Sequence, residues 1–246
     1  LSHVLMSFIE MFSRDKERLS DIRARSNQSP IGAGPIGGTL LAINRETTAR
    51  ALGCDKATVN SIDSVSDRDF AIEFLSAAAI CSNHISRFAQ QMIEWLSPHA
   101  NFISLPEEFL EHDSLIPNKR DPLVLERLRA KAGTLHGHLM AAFSIMQSLP
   151  LHYVEDYQEI LEHVINGYES ISNCIHLATS LVGSFTVNRK QMKEAAKANF
   201  STAEDVKNWL IMNLDVTLDQ AKAITRQIIR LATEKRQKLS LLELED

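Results

Sequence analysis

Residues 111–122, EHDSLIPNKRDP, place two prolines, a lysine, an arginine and three acids in one connection. Connections in compact domains have a median of about 4–6 residues, so this polar, Pro-bounded stretch is long. Lys119 and Arg120 stand just before a predicted helix start at Pro122. Loop amides, a helix N-terminus and an ammonium group together make an anion site. A polar loop stiffened by prolines over a rigid helical scaffold is a candidate lid, and its bland counterpart is a solvated connector. A second polar cluster is NSIDSVSDRD, residues 60–69. There Ser66 reads as an N-cap, with Asp67 and Asp69 favoured in the first turn by the helix dipole. Capping does not account for Asn60, Asp63 or Arg68, for which a site and a structural role both stay open.

Other chemical patterns are weaker. GAGPIG at 32–37 matches G-x-G-x-x-G, but that fingerprint needs a preceding strand and a helix opening directly after it. A charged helical pattern precedes it and Pro35 interrupts it, so a tight glycine loop is the reading. None of the nine histidines forms an H-x-x-x-H pair. Cys54, Cys81 and Cys174 are far apart, without C-x-x-C spacing, which suggests reduced thiols. No metal and no cofactor is expected.

These residues need elements to position them. Leu1, Val4, Leu5, Phe8 and Phe12 recur at helical spacing, and a helix is expected over 1–25. Those first residues already read as mid-helix, so the chain is expected to be part of a longer one whose front is missing. Asn44 opens a short helix ended by Gly53. Ser66 and Asp69 give an S-x-x-D start to a helix that runs to Pro98. Two more long helices are predicted from about Pro122 to Leu149 and from about Tyr153 to Gly183. Each of the three is about 30 residues, or about 45 Å. Long helices with apolar stripes predict an all-α bundle. Beyond about residue 188 the helices shorten, and Ser201…Glu204 and Thr217…Gln220 look like capping boxes. The domain reading is a central long-helix bundle over 1–187 and a small helical domain over 188–246. A few strand-like residues fall near 184–187.

Composition narrows the classes. Hydrophobic residues are 44%, charged residues 23%, and the net charge is −5, which argues against nucleic acid as a partner. No run of about 18 apolar residues exists, so no membrane span is expected. The cysteine usage suggests a cytoplasmic setting. The apolar stripes exceed what one chain covers, which predicts a homo-oligomer.

Taken together the segments resemble the fumarase/aspartase superfamily, and within it the argininosuccinate lyases. EMFSRDKERL is similar to the family's EMFxRDxERL. SPIGAGPIGGTLLAINRETTARALG and NSIDSVSDRDFAIEFLSAAAI are close to its central domain, LPLHYVEDYQE falls on LPLAYNKDMQE, and the 111–122 loop falls on GSSxMPxKxNP. The resemblance implies a tetramer built around a helical bundle and a reaction of arginine biosynthesis, in which argininosuccinate is split into arginine and fumarate. A base removes a proton beside a carboxylate, the carbanion is held as an aci-carboxylate, and the C–N bond breaks. It also implies active sites shared between subunits.

The signature is altered here. Asp113 falls on the family's catalytic serine, Ser114 keeps the second serine, Ile116 replaces methionine and Lys119 keeps the lysine. Asp121 replaces the substrate-binding asparagine. Tyr153 and Gln158 keep two substrate contacts, and Leu161 replaces a lysine for a substrate carboxylate. The family's acid histidine falls before the start of this chain. The expected site is therefore Asp113, Ser114 and Lys119 as catalytic residues, with Asp121, Tyr153, Gln158, Arg68 and Asn60 around a small dicarboxylate ligand. A carboxylate added at about 5 Å from a substrate carboxylate repels by about 3 kcal/mol at an effective dielectric of about 20. An aspartate with an ordinary pKa near ~3.9 is also a weak base. The expectation is an argininosuccinate-lyase-like protein with an eroded site, inactive alone. The alternatives are a non-catalytic helical assembly module and a lyase for a more cationic substrate.

Overall fold

A computed structural model describes residues 2–111, 120–198, 200–237, 239 and 242. The chain divides into two compact units, one of residues 1–93 and 105–185 and the other of 94–104 and 186–246. It is all-α, and strands among the described residues are two-residue pairs.

The first unit holds α1 (Ser2–Ser26), α2 (Arg45–Ala51), α3 (Ser61–Ser66), most of α4 (Asp69–Leu96), α5 (Leu123–Met146) and α6 (Tyr157–Ser184). In α4 the apolar rhythm read from the sequence is buried at Ala78, Cys81, Ile85, Phe88 and Met92, whereas toward its start Ala71 and Leu75 are buried and Phe70, which belonged to the expected stripe, is exposed. Their spacing of three and four residues keeps them on one face. Ala71 and Leu75 share a core cluster with Ala142 of α5 and with Tyr157 and Ile160 of α6. Gly167 sets the approach of α6 to α4, since a Cβ there would stand 2.6 Å from Leu75 Cδ2. On α1, Phe8 meets Phe88 edge-on with ring centres 5.4 Å apart. Beside it the buried Asp15 lies 2.7 Å from His84 Nδ1 and accepts from Arg18 at 2.9 Å, so the carboxylate is paired rather than stranded. Burial, and then Asp15, push the Cys81 thiol up to about 12, which keeps it protonated and inert.

Helix starts differ from the sequence expectation at three places. Ser66 is the last residue of α3 and its hydroxyl donates back to the Ile62 carbonyl. Asp67 does the capping instead, accepting from the Asp69 N–H at 2.7 Å, and α4 begins at Asp69. Asn60, which capping had not accounted for, is the N-cap of α3 and accepts from Ile62 and Asp63. Ser201 makes no capping box, because its hydroxyl donates to the Ala196 carbonyl and α8 starts at Ala203.

The second unit pairs β3 (Ile103–Ser104) with β4 (Thr186–Val187) antiparallel, Ile103 opposite Val187. It continues through α7 (Arg189–Ala196), α8 (Ala203–Leu214) and α9 (Leu218–Glu234). The turn between α8 and α9 places Asp215 at φ 52, and the Thr217–Gln220 capping box forms in full. No described helix is long and apolar enough to cross a membrane.

Candidate functional site

The glycine-rich loop is the first wall of the site. It follows β1 (Gln28–Ser29), which pairs in parallel with β2 (Lys56–Ala57). Gly34 has φ +74, and a Cβ there would meet the Gly38 carbonyl oxygen at 2.5 Å, so the loop closes too tightly for any other residue. Arg45, in the first turn of α2, buckles this loop to the chain after β2. Its guanidinium donates to Thr58 O and Oγ1, both at 2.8 Å, and to the carbonyls of Ile31 and Pro30. Nothing in the local pattern around Arg45 marks this role, since its partners lie more than a helix away in sequence.

Against the loop lies a pocket of about 280 Å³, bounded by Pro30–Gly34, by Ser64, Val65 and Arg68, and by Tyr153. Arg68 stands at the α3–α4 junction, where Nη1 donates to the carbonyls of Asp67 (2.5 Å) and Val65 (3.4 Å). Its guanidinium carbon lies 4.4 Å over the ring of Tyr157, a cation–π contact that fixes its plane. Tyr157 had read only as a core residue of α6. Tyr153, in the connection before α6, is half-exposed and accepts at Oη from Gln158 Nε2 over 2.6 Å. Its own hydroxyl lies 3.4 Å from Glu155 Oε2. Arg68 and Tyr153, from segments far apart in sequence, thus bound one pocket, and Gln158 holds the Tyr153 hydroxyl.

A larger cavity of about 760 Å³ adjoins on the other side of Arg68 and includes Asn60. Two arginines, Arg25 and Arg68, face four carboxylates there: Asp63, Asp67, Asp69 and Glu73. Arg25 is paired with Glu73 at 3.0 Å. Burial raises Asp67 above the usual carboxylate range, with Asp69 and Asp63 adding to it against the Asp69 N–H bond and Arg68. Asn60 therefore combines a capping role with a place in this wall.

Asp121 is not among the residues bounding either cavity. Its carbonyl accepts from Glu111 N–H and from Leu123 N–H, both at 2.9 Å, which ties together the two ends of the segment between them. Asp113, Ser114 and Lys119 lie outside the described residues. Among the described residues no group of three or more histidine, cysteine, aspartate or glutamate side chains is placed to hold a metal. One close pair is His138 Nδ1 and His163 Nδ1, 3.1 Å apart across α5 and α6. Burial first, then His163, lowers the pKa of His138 below the ordinary histidine value.

The fold and this arrangement define a class. Residues 1–137 match the family model described as lyase, and the chain belongs to that family, within the fumarase/aspartase superfamily. It is 43% identical to argininosuccinate lyase of Bartonella tribocorum over the whole chain, covering 53% of that protein. It is 40% identical to argininosuccinate lyase 1 of Mesorhizobium japonicum over 99% of the chain, covering 52% of that protein. The chain is thus argininosuccinate-lyase-like, and it spans about half the length of the curated relatives it matches. A crystal structure of EDDS lyase in complex with formate superposes with a TM-score of 0.88 at 26% identity, over 99% of this chain and 48% of that one.

Proposed function

We propose that this chain carries the central bundle and the small C-terminal helical domain of an argininosuccinate-lyase-type protein, divided at about residues 187 and 188. Its family reaction is the release of fumarate and arginine from argininosuccinate. Arg68, Tyr153 and Gln158 bind substrate carboxylate and polar groups, with Asn60 in the adjoining wall. Asp121 and the residues at the catalytic positions, Asp113, Ser114 and Lys119, fall on the family's signature segment. The observation that carries this reading is the meeting of Arg68 with Tyr153, whose hydroxyl Gln158 holds, beside the glycine loop, in a chain alike to argininosuccinate lyases along its whole length.

The chemistry of this chain alone is weak on the same reading. Asp113 and Asp121 bring negative charge toward a dicarboxylate, and Leu161 withdraws a cation. The protein works as a cytoplasmic homotetramer. In support, α6 exposes Leu161, Ile165, Tyr168, Ile175 and Val182, an apolar face that a partner helix would cover. Fumarate release from argininosuccinate, followed by ultraviolet absorbance, tests the reading. No release is expected. Turnover within tenfold of a typical ~10 per second refutes it.

One observation favours a second reading, a lyase for a more cationic substrate. The carboxylates of Asp63, Asp67 and Asp69 line a cavity with Arg68, and that of Glu155 lies 3.4 Å from the Tyr153 hydroxyl.

A further inference from the structure

Tyr153 is held at its tip from two sides. Gln158 Nε2 donates to Oη over 2.6 Å, so the phenol proton points elsewhere, and Glu155 Oε2 at 3.4 Å is the acceptor in reach. Oη has two lone pairs and one proton, so both contacts form at once. Glu155 itself is exposed and its carbonyl accepts from the Gln158 N–H at 2.9 Å, at the entry to α6. Glu155 does not itself line the pocket that Tyr153 bounds; its carboxylate reaches that pocket's wall through the Tyr153 hydroxyl.

Across that pocket stands Arg68. Its Nη1 is taken up by two carbonyls and one face of its guanidinium by Tyr157. Among the described residues no hydrogen bond engages Nε or Nη2, the pair of donors suited to a carboxylate. A cation over the ring of Tyr157 and an anion beside the hydroxyl of Tyr153 thus attend two neighbouring tyrosines, whose ring centres lie 6.3 Å apart.

We infer that Glu155 is a specificity-determining residue of this pocket, receiving the ammonium or guanidinium group of a ligand whose carboxylate lies on Arg68. The ligand class is the amino-acid zwitterion with a cationic side chain, in preference to a plain dicarboxylate. An arriving N–H donor replaces the phenol as the partner of Glu155, and the freed phenol proton turns to the ligand. No bond is made or broken in this recognition. The inference rests on the proposal that substrate binds at Arg68 and Tyr153, and the test separates the two.

Titration calorimetry with L-arginine and with succinate, on the wild-type chain and on Glu155→Gln, Glu155→Lys and Arg68→Lys, decides it. An exposed charge contact is worth up to about fivefold in affinity. Glu155→Gln is expected to weaken arginine by about three- to fivefold and leave succinate unchanged or tighter. Glu155→Lys is expected to reverse the preference. Arg68→Lys is expected to weaken both probes, since it removes their shared carboxylate contact. Glu155 lies on the surface, so its variants keep the fold, which circular dichroism verifies. If both Glu155 variants leave the arginine-to-succinate ratio unchanged while Arg68→Lys weakens both probes, the inference is overturned and the site stands. If the wild type binds neither probe, or Arg68→Lys alters neither, the site reading falls and the inference with it.

Discussion

Replacing Gly167 by alanine puts a methyl group where α6 crosses α4. The new Cβ would lie 2.6 Å from Leu75 Cδ2, against ordinary van der Waals contact beginning near 3.4 Å. Leu75 is fully buried, with Ala71, Ala142 and Ile160 around it, and has no open side into which to rotate. Overpacking of this kind costs about 1–3 kcal/mol. Alanine regains about 1 kcal/mol of helix propensity over glycine. The net expectation is a loss of about 0–2 kcal/mol. Leu75→Ala alone leaves a cavity and costs about 2–5 kcal/mol. In the double variant the clash is gone and the added methyl fills part of the cavity. The two changes should therefore be coupled by at least about 1 kcal/mol in the favourable direction. Urea denaturation of the four proteins, at one protein concentration because assembly shifts apparent stability, measures the cycle. Strict additivity would mean that Gly167 is not what sets the α4–α6 spacing.

Three further outcomes follow from the same geometry. Because the folded-state pKa of His138 lies below its unfolded value, the folded chain takes up that proton less readily. Its contribution is intact above the ordinary histidine pKa of 6.5 and is lost as pH falls through it, and His163→Gln should flatten the fall in urea midpoint between about pH 7.5 and about pH 5.5. The triple change Asp113→Ser, Asp121→Asn and Leu161→Lys removes two negative charges and adds one positive. It should tighten fumarate binding at least about tenfold by calorimetry, with the gain shrinking at high salt, and equal affinity in parent and variant would count against the proposed loop. Sedimentation at micromolar concentration should show a tetramer or a dimer of that type, and a monomer would contradict the exposed α6 face being an interface.

Local chemistry was legible where both partners sit within one turn. Thr217 and Gln220 are three residues apart, and their capping box forms as the sequence implies. The buried face of α4 was legible because period alone decides it. Ser66 misled because two adjacent polar residues compete for one task. Asp67 reaches the Asp69 N–H, while Ser66, still helical, bonds back to Ile62. Asn60 hid the short helix α3, because a six-residue helix has too few apolar positions to show a period. Asn60 and Arg68 drew notice from residue chemistry alone, Tyr153 and Gln158 only through the resemblance. Arg68 over Tyr157 and Arg45 around Thr58 are contacts that the tertiary fold creates, and no spacing along the chain encodes them.

The backbone bond from Glu111 N–H to the Asp121 carbonyl gives the chain a cassette. Main-chain atoms make the clasp, so this bond itself calls for no particular side chain at either end. Doubling the length of a clasped loop adds only about 0.6 kcal/mol of closure entropy. Substitutions, insertions and exchanges inside it therefore leave the helices on either side almost untaxed.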